Sequence, residues 1–163
     1  MTAPQWLDAD QQQAWRSHLE ASRRILESVD LQLQREAGMP HAYYEILVRL
    51  SEAPGRAMRM SELARSSLSS KSRLSHAVAR LEERGWVLRR ACAEDRRGQI
   101  AVLTEKGFAA LAEAAPGHVA QVRRVLVEAL SPEDLRELRR LNERIIARLD
   151  DLESGCPAPP HEG

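Results

Sequence analysis

The chain has 163 residues, with 24 Lys and Arg, 24 Asp and Glu, and no formal net charge. Hydrophobic residues make up 43% and aromatics 4%, which suits one helix-rich domain with an extension and excludes a chain disordered throughout. The charge is segregated: residues 56–106 hold 12 Lys and Arg against 6 Asp and Glu, and the remainder holds 12 against 18, so a localised anion-binding face is expected.

The first predicted element is a long helix from Gln11 to about Ala37. Trp15, Leu19, Ser22, Leu26, Val29 and Leu33 recur at steps of three and four, and Gly38 stops it. Pro40 opens a second helix, to about Ala53, with Tyr43, Ile46, Leu47 and Leu50 inward. "APGR" (53–56) is a turn. A short helix with Ser61 as candidate N-cap runs to about Ser66. Another follows, capped by Ser69 or Ser70 and ended by Gly85, with Leu74, Ala77, Val78 and Leu81 as its buried stripe. "WVLRRAC" and "QIAVLT" are β-like runs joined by the six residues "AEDRRG", a hairpin. Thr104 can cap the next helix, whose stripe runs through Phe108, Leu111, Ala115, Val119, Val122, Leu126 and Ala129, with a kink at Pro116 and Gly117. "LSPED" restarts a last helix with Ser131 as N-cap, carrying Leu135, Leu138, Leu141, Ile145, Leu149 and Leu152. The tail, 153–163, is rich in Pro and Gly and is expected to be disordered.

The two short helices carry the functional signal. In a helix-turn-helix the second helix lies in the DNA major groove with its N-terminal residues on base edges. Small polar side chains permit close approach, and donors reach guanine or phosphate. Ser70, Lys71, Ser72, Arg73, Ser75 and His76 supply both, with Arg80 one turn further along the same side. The first two turns hold no acid, while Glu82 and Glu83 lie at the far end. A free helix prefers its acids at the N-terminus. A hairpin directly after such a helix is the layout of a winged helix. Its tip would reach the minor groove, where negative potential favours an inserted arginine. Arg97, followed by Gly98, is placed for that role, with Arg96 on phosphate or turned away. Asp95 can pair with an arginine and brace the loop. The expected fold is therefore mainly α with a small β-hairpin wing.

These residues resemble the MarR family of bacterial transcription regulators. The similarity covers roughly Gln11 to Leu152 and is strongest in "YYEILVRLSEAPGRAMRMSELARSS", "SRLSHAVARLEERGWVLRR" and "DRRGQIAVLTEKG". The family's wing pattern of Asp, any residue, Arg and Gly falls on Asp95, Arg97 and Gly98. The resemblance implies a homodimer whose N- and C-terminal helices intertwine (11–37 and 105–152) and whose winged helix-turn-helix lobes (40–104) read a pseudo-palindrome in double-stranded DNA. It also implies that Asp95 and Gly98 shape the wing and Arg97 enters the minor groove. The residues agree on the dimer: the first and last helices are more apolar than one small lobe can bury. Many members respond to a small aromatic or phenolic effector. Candidates to hold one are Trp15, His18, His41, Tyr43, Tyr44 and His118.

Other classes are weaker. No Gly-rich phosphate loop, HExxH or nucleophile elbow occurs, so an enzyme is not expected. Cys92 and Cys156 fit no metal or disulfide spacing, and no cofactor or metal is expected. The N-terminus lacks a signal-peptide pattern and no apolar run reaches about 20 residues, so a cytoplasmic protein without a membrane partner is expected. Two alternatives remain: a helical dimer acting through protein partners, and a redox-responsive regulator in which Cys92, beside Arg89 and Arg90, is the sensor.

Overall fold

The computed structural model describes residues 5–66, 71–91, 98–153 and 155. The chain divides into two compact units, Met1–Val122 and Arg123–Gly163.

The first unit begins with α1 (Ala9–Ala37). Asp8 caps it: its carboxylate accepts from the Gln11 N–H at 2.8 Å, and the Gln11 side chain accepts from the Asp8 N–H at 3.1 Å. Gly38 ends it at φ 61, a left-handed conformation that suits glycine. Only the C-terminal part of α1 is buried, through Val29, Gln32 and Leu33. Trp15, Leu19 and Leu26 are exposed.

Next comes α2 (His41–Glu52), with Pro40 at the N-cap and no local side-chain cap. The missing acceptor comes from α1, where the Asp30 carboxylate accepts from the His41 N–H at 2.7 Å. Tyr44, Ile46, Leu47 and Leu50 are buried and Tyr43 only partly. This corrects the expected inward face: adjacent helical residues point about 100° apart, and Tyr44 takes the core position.

A 3₁₀ turn (Pro54–Arg56) leads into β1 (Ala57–Arg59), then α3 (Met60–Ser66) and α4 (Lys71–Glu83). Ser61 lies inside the first turn of α3 and not at its N-cap, and Ser69 and Ser70 lie outside the described residues. Leu74, Val78 and Leu81 of α4 are buried and Ala77 is half-buried, as its pattern requires. β2 (Val87–Ala91) and β3 (Gln99–Leu103) follow. The expected hairpin is part of a three-stranded antiparallel sheet ordered β1-β3-β2, with Ala57 opposite Val102 and Val87 opposite Leu103. Three residues are too few for β1 to show a period of two. The core collects Leu33, Met39, Ile46, Leu47, Leu50, Leu63, Leu74, Val78, Leu81 and Val87 between α1, α2, α3, α4 and the sheet.

α5 (Glu105–Val125) runs unbroken past Pro116, correcting the expected interruption. Proline there removes a single N–H from the ladder, and the turns on either side hold the helix. The buried face is Gly107, Leu111, Ala114 and Gln121; Phe108 and Val119, on the expected stripe, are exposed. Beyond Val125 a 3₁₀ turn (Val127–Ala129) replaces the expected continuation of the stripe.

In the second unit α6 (Pro132–Glu153) starts from a reciprocal cap. Ser131 Oγ accepts from the Asp134 N–H at 3.1 Å, and the Asp134 carboxylate accepts from the Ser131 N–H at 3.1 Å. Leu141, Ile145, Ile146, Leu149 and Leu152 of α6 are exposed. Among the described residues, no helix is long and apolar enough to cross a membrane.

Gly107 sits where α5 meets the turn that follows α4. A Cβ there would lie 2.1 Å from the Trp86 carbonyl oxygen and 2.8 Å from the Leu103 side chain. Helix propensity alone would make Gly107→Ala stabilising by about 1 kcal/mol. The collision is with backbone, which yields little, so the variant should instead lose about 1–3 kcal/mol. Thermal unfolding followed by circular dichroism checks this; a raised midpoint would show that the turn can move aside.

Candidate nucleic-acid interface

The exposed side of α4 follows from its buried side. With Leu74, Val78 and Leu81 in the core, Ser72, Arg73, Ser75 and His76 are all exposed. The described residues therefore present four of the expected base-reading side chains together on the N-terminal half of one helix. Ser70 lies outside the described residues, and only the backbone of Lys71 is described. Ser72, Arg73 and His76 also line a groove shared with Ala42, Tyr43, Glu45 and Ile46 of α2.

The two acids at the far end of α4 are engaged. Glu82 holds Arg89 of β2 through its guanidinium (2.6 Å) and accepts from its backbone N–H at 2.9 Å. This ties the helix to the first strand of the hairpin. Glu83 takes the Arg80 guanidinium at 2.8 Å, and that carboxylate raises the Arg80 pKa. Both partners are more than half exposed, so the pair is weak and easily exchanged.

Arg84, just beyond α4, is a positioning residue absent from the expectations above. It donates to the Gly38 carbonyl at 3.1 Å, and its guanidinium lies over Trp86 (4.8 Å from the ring centroid) and Tyr43 (5.8 Å). It thereby fastens the end of α4 to the end of α1. At the start of α5, Arg56 pairs with Glu105 at 2.8 Å and covers Phe108 at 4.0 Å. Arg90, exposed on β2, adds a cation at the approach to the wing.

The expected wing tip lies outside the described residues: Cys92, Asp95, Arg96 and Arg97 all fall there. Gly98 is described, half-buried, directly before β3. The register, Ala91 opposite Gln99, fixes the stem from which the tip departs.

The six effector candidates separate into three places. His41, Tyr44 and His118 come together: the His118 ring lies 4.4 Å from Tyr44 and 5.8 Å from His41, centroid to centroid. They share an open cleft with Glu45, Val48, Arg49 and Glu52. Tyr43 faces α4 instead. Trp15 and His18 stand on the exposed N-terminal half of α1, with Trp15 54% exposed. Burial raises the Tyr44 pKa. His118 is lowered, first by burial and then by the neighbouring His41, and its buried Nδ1 makes no hydrogen bond. The His118 ring packs on Tyr44. Among the described residues no group of three or more His, Cys, Asp or Glu could hold a metal ion.

The chain is similar to known proteins over most of its length. A family model described as the MarR family matches residues 37–98, which run from the end of α1 through β2 and stop just before β3. The structure of Sco3205 from Streptomyces coelicolor, a MarR family transcriptional regulator in complex with DNA, is 50% identical; it covers 89% of this chain and 90% of that one, with a TM-score of 0.83. AbsC, a MarR family regulator from the same organism, is 46% identical over 90% of this chain and 99% of its own, also with a TM-score of 0.83. The transcriptional repressor MprA of Escherichia coli K12 is 29% identical over 130 residues, 80% of this chain and 73% of its own.

The lowered pKa of His118 has a sign that can be checked. Its folded value lies below 6.5, so between the two values the unfolded chain binds more protons than the folded one. Its contribution to stability is therefore present above pH 6.5 and lost as pH falls through that window. The drop in melting temperature from pH 7.5 to pH 5 should be smaller in His118→Phe than in the parent. An equal drop in both would show that His118 carries no such linkage.

Proposed function

Because this chain belongs to the MarR family of transcription regulators, and is not an enzyme, we propose that it is a DNA-binding repressor acting as a homodimer on a pseudo-palindromic operator. The observation that carries this reading is the acid-free N-terminal half of α4, with Ser72, Arg73, Ser75 and His76 exposed on a helix locked from behind by its own apolar stripe. The MarR regulator Sco3205, half identical to this chain, has been solved with DNA, and the related MprA is a repressor.

In this reading α4 enters the major groove with its N-terminal half. Arg73 and His76 reach bases or phosphates, and Ser72 and Ser75 allow the backbone to approach. Ser70 and Lys71 extend the contact, and Arg80 joins it by exchanging Glu83 for a phosphate. Arg97 enters the minor groove, Arg96 meets the backbone, and Asp95 and Gly98 shape the loop that delivers them. Two of these chains supply two such lobes. Support for the second copy comes from each unit separately. α1 exposes Trp15, Leu19 and Leu26, and α6 exposes Leu141, Ile145, Leu149 and Leu152 along one side. Stripes of this size on isolated helices belong at interfaces.

The proposed effector is a small aromatic or phenolic molecule seated in the cleft of His41, Tyr44 and His118, where ring faces and an unpartnered imidazole nitrogen lie together. Trp15 and His18 belong to this cleft only if the partner chain brings them to it.

Selection from a randomised duplex pool, followed by fluorescence anisotropy over a salt series, tests the reading. A two-fold symmetric sequence should emerge, with each neutralised phosphate adding about −0.9 to the log–log salt slope. Arg97→Ala should weaken operator binding by about 1–3 kcal/mol and leave the melting temperature and dimer unchanged. His76→Ala should change base preference at one position in each half-site more than it changes the salt slope. If selection yields no sequence and binding stays weak at low salt, the DNA reading fails and a protein partner takes its place.

A further inference from the structure

Tyr43 and Tyr44 are neighbours in the first turn of α2 and have different partners. Tyr44 meets His118, whereas Tyr43 packs half-buried against the core on the side of α4. On that side α4 carries Ala77, Arg80 and, just past its end, Arg84, at steps of three and four that place them along one line. All three are near Tyr43. Ala77 shares a groove with it. The Arg80 pKa is raised first by the Glu83 carboxylate and also by the Tyr43 phenol. The Arg84 guanidinium lies 5.8 Å from the Tyr43 ring centroid.

Arg84 is itself held from three sides. Its backbone N–H continues the helix by donating to the Arg80 carbonyl at 3.3 Å. Its guanidinium donates to the Gly38 carbonyl at 3.1 Å and covers Trp86 at 4.8 Å. Both rings lie within the roughly 6 Å at which a cation is drawn to an aromatic face. The backbone of Tyr43 is fixed by the same short segment, since the Pro40 carbonyl accepts from its N–H at 2.9 Å. At the other end of α4 there is open space. A groove of about 520 Å³ lies between α2 and Ser72, Arg73 and His76. It gives the N-terminal half of α4 room to swing, and the tie at Tyr43 and Arg84 opposes that swing.

We propose that Tyr43 and Arg84 act together as positioning residues for α4, and that they determine how sharply the protein discriminates its operator from other DNA. The second half of this inference rests on the DNA-binding reading above. Neither residue touches DNA in this account. A base-edge hydrogen bond needs its donor within about 3 Å, whereas attraction to phosphate tolerates displacement. A loosened α4 therefore loses base discrimination before it loses affinity for DNA in general. The ring face of Tyr43 and the planar guanidinium of Arg84 do this work; a lysine keeps the charge but neither the fork nor the stacking.

Two measurements test it on the full chain. The first is amide hydrogen exchange without DNA. Tyr43→Leu and Arg84→Lys should each quicken exchange about tenfold for residues 76–81, in the middle of α4, while amides of α5 keep their rates. The second is anisotropy with the selected duplex and a scrambled one. Each variant should lose about tenfold in preference for the selected duplex, with the salt slope unchanged. Tyr43→Phe, which keeps the ring, should match the parent in both measurements. The double variant should be no worse than the more severe single one. Unchanged exchange in α4, or exchange quickened equally in α4 and α5, would overturn the proposal. So would full preference in Arg84→Lys, since a plain phosphate contact survives that change, or losses that add in the double variant. A parent that binds both duplexes alike defeats the repressor reading alone; the exchange rates, taken without DNA, still uphold or defeat the tie on α4.

Discussion

The contact on which the rest of the first unit depends is the meeting of Thr104 and Gly107 with the turn at Gly85 and Trp86. Thr104 does three things there. Its N–H donates to the Trp86 carbonyl at 3.0 Å, its hydroxyl donates to the Gly85 carbonyl at 2.7 Å, and its Oγ1 accepts from the Gly107 N–H at 3.0 Å. One side chain thus caps α5 and satisfies the carbonyls left free where α4 stops. Gly107 permits the approach because any Cβ would strike the Trp86 oxygen. The same turn joins α4 to β2, so α4, the stem of the hairpin and the start of α5 share one anchor. Arg84 doubles it by bonding the Gly38 carbonyl at the end of α1. The surface chemistry of Ser72, Arg73, Ser75 and His76 has value only if the helix beneath is held rigidly, and the hold is applied at its opposite end.

How much of this is legible in the sequence depends on how local the cause is. The helix start at Ser131, the stop at Gly38, the buried stripe of α4 and the paired strands all have local causes, and their patterns are plain in the sequence, whereas α1 begins at Ala9 under an Asp8 cap, two residues before the expected start at Gln11. Three features are not. β1 is too short to display alternation, and its pairing with β3 spans more than forty residues. The capping of α2 by Asp30 comes from a neighbouring helix. The buried face of α5 departs from the expected stripe: hydrophobic spacing favours Phe108 and Val119 beside Leu111, whereas the buried residues are Gly107, Leu111, Ala114 and Gln121. A glycine and a glutamine give no apolar signal, so the buried side of α5 is hidden from any reading based on hydrophobicity.

The site follows the same rule. The exposed residues of α4 are readable because a single helix carries both the buried and the exposed set. Residue type alone groups the effector candidates, and geometry separates them: adjacent Tyr43 and Tyr44 line different clefts, and His118 joins Tyr44 from 74 positions away in the chain. Arg84 gave no functional signal because its roles, donor to a carbonyl and cover for two rings, exist only in the folded chain.

The seam between α1 and α5 shows why polar residues are buried in so small a protein. Gln121 donates to the Ser28 hydroxyl at 2.6 Å, and further along α1 Gln32 donates to Glu36 beneath Gly117. An apolar seam would slide at little cost, since dispersion contacts are non-directional. Of these two bonds only that from Gln121 to Ser28 crosses the seam; its fixed geometry favours one register between the two helices, because a buried amide that loses its partner is costly. That seam also adjoins the cleft proposed for the effector, which His118 of α5 lines. The helix that lines this cleft, α5, is also the one whose first turn is bonded to the turn after α4.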